Sequence, residues 1–125
     1  MDIDVFLKNY MNHIKYAEDN DGYEIAFPFK LYNDDHISSC HIKEESTGLF
    51  IVSDNGNVFK YFENNGINLN AYQKQVNKIC DMFDLYIEDG YVKKVLGEYE
   101  TNQTFVQLTN FFIGISHLAT MNRFD

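Results

Sequence analysis

A chain of 125 residues, 45% hydrophobic and 16% aromatic with a single proline, has the length and composition of one globular domain spanning 1–125 and is not a disordered or low-complexity chain. Its net charge of −9 is uneven, with 12 acids and 5 bases in residues 1–66 against 7 and 5 in residues 67–125. That balance, with no basic stripe, argues against direct nucleic-acid binding and suits a protein partner with a basic surface.

The first element reads as a helix. Ile3, Phe6, Leu7, Tyr10, Met11 and Ile14 recur at spacings of three and four, and Asp2 and Asp4 stand in its first turn. The turn-rich "EDNDG" of 18–22 is expected to end it. Four strand-like runs follow: "YEIAF" (23–27, closed by Pro28), "HISSCHIK" (36–43), "GLFIVS" (48–53) and "NVFKYFE" (57–63). Their short connections predict an antiparallel meander.

Between the last two runs lies Asp54-Asn55-Gly56-Asn57. Asn-Gly tolerates positive φ at both central positions, so the segment predicts a two-residue hairpin turn with Asp54 capping it. On that reading Asp54→Asn leaves the fold nearly unchanged. A calcium loop needs carboxylates at alternate positions, and a phosphate loop needs a Gly-rich run before Lys-Ser/Thr; neither pattern is present. "ENNG" (63–66) leads to a helix from about Leu69, whose stripe is Leu69, Tyr72, Val76, Ile79, Cys80 and Phe83. "LYIEDGYVKKV" (85–95) predicts a hairpin turning at Asp-Gly. A last helix, about 103–121, is apolar over most of its circumference, so it is either the central core helix or half of a homodimer interface. The fold class is α+β: a meander of about four strands plus a C-terminal hairpin, with three helices packed on the sheet.

Cys40 and Cys80 are the only cysteines and form neither a disulfide framework nor a CxxC motif. No basic segment leads into an apolar run at the N-terminus, and "FFIGISHLA" is too short to span a bilayer. The expectation is a soluble, cytoplasmic protein with reduced thiols.

The densest grouping of metal-ligand types is "NDDHISSCHIKEE" (33–45). On a strand, His36 and Cys40 face one way and His41 the other, while Asp34, Asp35, Glu44 and Glu45 read as turn acids. No catalytic residue, metal or cofactor is therefore expected. The enzymatic alternative is a metal-dependent nuclease or other hydrolase using Asp34, Asp35, His36 and Glu44. Ser38 and Ser39 lack a nucleophile elbow, and His117 reads as a packed helix residue.

The succession of "IAFPF", "NDDHI", "IVSDNG", "KQVNKICDMFDLYIEDGYV" and "TFVQLTNFFIGISHLATM" resembles a bacterial and phage family, the domain-of-unknown-function family numbered 1828. The resemblance covers about residues 20–121. It implies a setting of phages and mobile elements and transfers no catalytic residue. With the small size and the acidic first half, the expected function is an interaction protein, an anti-CRISPR-like inhibitor of a host defence nuclease. Its expected contact acids are Asp34, Asp35, Glu44, Glu45, Asp54 and Glu63.

Overall fold

The computed structural model describes residues 15–19, 21–26, 39–46, 49–96 and 101–121. Among them, six strands form one antiparallel sheet: β1 (Lys15–Asp19), β2 (Gly22–Ala26), β3 (Ser39–Ser46), β4 (Leu49–Ser53), β5 (Tyr86–Glu88) and β6 (Tyr91–Leu96). Three helices accompany it: α1 (Asn57–Asn64), α2 (Gln73–Phe83, entered through a 3-10 turn at Leu69–Tyr72) and α3 (Thr101–Thr120). The spatial order β1-β2-β3-β4-β6-β5 is three antiparallel pairs side by side, β1–β2, β3–β4 and β5–β6, with β6 rather than β5 beside β4. The α+β class is as the sequence predicts. The helix expected over residues 3–14 lies outside the described residues.

Two elements differ from the sequence reading. Lys15–Asp19 is a strand paired antiparallel with β2 through Asp19↔Gly22, where a helix end was expected. "NVFKYFE" is helix α1, where a strand was expected. Over seven residues the two periods share positions: Val58 and Phe62 alternate as in a strand, yet they are also i and i+4 on one helix face. Both are buried, while Lys60 and Glu63 face solvent. The end signals decide the matter. At the C-terminus, Gly66 sits at φ 68, the Ile67 N–H bonds the Phe62 carbonyl at 2.9 Å and the Gly66 N–H bonds the Glu63 carbonyl at 3.1 Å. This is a Schellman stop, with Ile67 and Phe62 as its usual apolar pair.

The helices cover one face of the sheet. Cys40, Val52, Val92 and Leu96 from that face enclose a core with Val58, Phe62, Val76, Phe111, Ile115 and Leu118. Helix α3 supplies the most from a single helix, which is the expected core role; Val106 and Ile113 lie on its outer side. Lys94 is only 3% exposed, in the same cross-strand row as Val52. Its ammonium donates to the Phe83 carbonyl at 2.7 Å and the Asp84 carbonyl at 3.4 Å, so a buried cation satisfies carbonyls at the C-terminal end of α2. Burial holds its pKa below the ordinary lysine value.

Candidate functional site

The other sheet face is built from alternate residues of the same strands. The registers line up one row as Glu24, His41, Ser53, Lys93 and Tyr86, and the next as Lys43, Ile51 and Val95. Tyr91 and Val95 are each 42% exposed, and Leu49 stands beyond Ile51 on the same strand. A cleft of about 440 Å³ opens here, bounded by His41, Lys43, Ile51, Ser53, Tyr91 and Lys93 among others. Lys93 pairs with Glu88 at 2.9 Å and Lys43 with Glu45 at 3.9 Å. Lys43 and Lys93 are thus each matched by an acid, and among the residues whose side chains are described three further acids, Asp19, Asp21 and Glu24, stand at the β1–β2 end.

At that end three strands bring Asp19, Glu24 and His41 together, with one ligand-type atom from each within 4.8 Å of the others. His41 Nε2 lies 3.3 Å from Asp19 Oδ1 and 3.2 Å from Oδ2. The Asp21 N–H donates to Asp19 Oδ1 at 2.9 Å. That backbone bond, helped by His41, holds the Asp19 carboxyl below the usual carboxylate range. Asn55 Nδ2 donates to Glu24 Oε2 at 3.1 Å and fixes the second carboxylate. Sequence reading placed His41 among its own neighbours in 33–45 and missed this grouping. Glu24↔His41 is a cross-strand pair of residues from separate segments, which local pattern does not encode. Asp19 joins them only once "EDNDG" is read as a hairpin.

The predicted contact acids do not share one surface. Asp34, Asp35 and His36 lie outside the described residues. Glu44 and Glu45 are successive on β3 and face opposite ways; Glu63 is exposed on α1, away from the open face. Asp54 is a correction: it is 1% exposed and offers nothing to a partner. Its Oδ1 accepts from the N–H of Gly56 at 2.8 Å and of Val92 at 3.0 Å, and its Oδ2 from the N–H of Val58 at 3.0 Å. Its own N–H donates to the Val92 carbonyl at 3.0 Å, and its carbonyl accepts from Asn57 at 3.1 Å. The side chain thus completes the ladder to β6 where β4 ends, and it binds orphan donors at the N-terminus of α1. Burial pushes its carboxyl above the ordinary 3.8, against the pull of the three N–H donors.

The Asp54-Asn55-Gly56-Asn57 turn is therefore a strand-to-helix connection. The left-handed geometry expected at its centre is present, with Asn55 at φ 60 and Gly56 at φ 74. Gly56→Val is expected to cost about 1–3 kcal/mol, because a β-branched residue is strained at positive φ. Urea denaturation checks this, and a parent-like midpoint contradicts it.

The cysteines offer no nucleophile. Cys40 is fully buried, and burial pushes its thiol up to about 12; burial also raises that of Cys80. His117 stacks on Phe83 with centroids 5.3 Å apart. No described helix is long and apolar enough to cross a membrane. Searches for similar proteins give no match to a family model, a curated protein or a solved structure.

Proposed function

We propose that this chain is a cytoplasmic protein-binding inhibitor from a phage or mobile element, and that it blocks the basic nucleic-acid channel of a host defence nuclease with the open face of its sheet. The phage setting comes from the resemblance described above, and the target class from charge. The observation that carries the reading is the composition of the open face. Tyr91, Val95, Ile51 and Leu49 form an apolar centre; Glu45 and Glu88 beside it are paired with Lys43 and Lys93, and Asp19, Asp21 and Glu24 add further acid at one end. Aromatic and aliphatic anchors surrounded by charge are what a protein interface uses. Excess acid matched to a basic channel accelerates encounter and makes it sensitive to salt.

The immobilised chain should recover a nucleic-acid-processing protein from a bacterial lysate at low salt and suppress that protein's cleavage of DNA or RNA, both effects fading as salt rises. Recovery of no such protein at low salt contradicts the reading. Turnover of DNA or RNA by the purified chain itself, with Mn²⁺ or Mg²⁺ added, replaces it with the hydrolase reading.

A further inference from the structure

We infer that Asp19, Glu24 and His41 form a binding site for a divalent transition-metal ion, with Zn²⁺ as the best-suited probe. The site shares Asp19 and Glu24 with the acid proposed to meet a partner but not the apolar centre, and ion binding is read on the purified chain with no partner present.

The argument begins with distances. Bonds of about 2.1 Å from a first-row metal to oxygen and nitrogen place neighbouring ligand atoms about 3.0–3.4 Å apart. The two Asp19 oxygens stand at 3.3 and 3.2 Å from His41 Nε2, within that range before any metal arrives. The whole trio lies within 4.8 Å, so a small rotation of the exposed Asp19 and the half-buried Glu24 closes the set.

The support is equally specific. Each carboxylate already has one oxygen held by an N–H, Asp19 by the Asp21 backbone and Glu24 by the Asn55 amide. Hydrogen bonds of this kind orient ligands in metal sites and keep a free lone pair aimed inward. The ligands stand on adjacent strands, with Glu24 and His41 directly paired, so their backbone spacing is set by the sheet.

Ligand chemistry chooses the ion. Two carboxylates and one imidazole exceed what Mg²⁺ or Ca²⁺ recruits, since those ions take oxygen ligands. The same set suits Zn²⁺ or Mn²⁺, and affinity for such a site rises from Mn²⁺ to Zn²⁺. Three protein ligands leave a fourth position beside the cleft that His41 borders, the arrangement of an open rather than a closed zinc site.

The test is calorimetric titration of the chelator-stripped full chain with Zn²⁺, then with Mn²⁺, Mg²⁺ and Ca²⁺. One Zn²⁺ per chain is expected, held more tightly than Mn²⁺ and far more tightly than Mg²⁺ or Ca²⁺. His41→Gln and Glu24→Gln should each weaken Zn²⁺ at least tenfold, while His117→Gln leaves it unchanged. Circular dichroism confirms that each variant is folded, and either of the two site variants suffices if the other is not. Absence of saturable Zn²⁺ binding, equal binding of Mg²⁺, or Zn²⁺ affinity indifferent to both site variants overturns the inference.

Discussion

Asp54→Ala should be among the most destabilising single substitutions in this chain, costing about 3–5 kcal/mol, because three backbone N–H groups then lose their acceptor and an unsatisfied buried donor costs roughly 1–3 kcal/mol. The donors of Gly56, Val58 and Val92 lie inside the fold, where water does not replace a 1%-exposed carboxylate. For a domain of this size the melting temperature should fall by roughly 10–20 °C. Asp54→Asn keeps one acceptor oxygen and points an NH₂ at a backbone N–H, so it should cost about 1–3 kcal/mol, not the near-zero change expected of a surface hairpin turn. The pH dependence has a definite sign. A carboxyl raised above 3.8 in the folded state binds more protons there than when unfolded. The contribution of Asp54 to stability therefore falls as pH rises from 3.8 through the folded pKa. Urea midpoints of the parent and both variants at several pH values check the ranking; an Asp54→Ala protein within about 1 kcal/mol of the parent would refute the bridging role.

Gly22→Ala should be nearly as damaging for a different reason. Gly22 has φ +151, and a Cβ there would lie 2.0 Å from the Ile42 carbonyl oxygen, a backbone atom of the neighbouring strand. No side-chain rotation relieves that contact, so β2 must separate from β3 or the turn must rebuild. The expected cost is about 2–4 kcal/mol, combining an unfavourable backbone conformation with overpacking. Because Gly22 stands between Asp19 and Glu24, the same substitution should weaken Zn²⁺ binding without touching a ligand. Hydrogen exchange of β1 and β2 amides, with the Zn²⁺ titration, reads both effects. Unchanged exchange and unchanged affinity would contradict this geometry.

The parts of the fold that announce themselves in sequence are those with unambiguous punctuation. Asp89-Gly90 fixes the last hairpin, the stripe from Leu69 to Phe83 fixes the middle helix, and the length and apolarity of α3 mark it as a helix that must be covered. Residues 57–63 mislead because seven residues satisfy both periods, and the deciding signals lie outside them. One is the Asp54 carboxylate; the other is Gly66, two residues past the helix. Asp54 itself was legible as a cap but not as buried. Its third bond goes to Val92, which is 38 residues away and joined by pairing that local pattern does not encode. The Asp19–Glu24–His41 grouping was hidden for the same reason: each member is ordinary in its own segment, and only the cross-strand register makes them neighbours.

The use of the open sheet face is the central functional claim, and a three-way capture comparison addresses it most directly. The parent chain, a Tyr91→Ala/Val95→Ala double variant and Glu63→Gln, each shown to be folded by circular dichroism, are immobilised and exposed to the same bacterial lysate at low and at high salt. The parent and Glu63→Gln should recover the same nucleic-acid-processing protein, more at low salt than at high, while the double variant should recover at least tenfold less. Equal recovery by the double variant, or loss on Glu63→Gln alone, would contradict the assignment and move the contact away from this face.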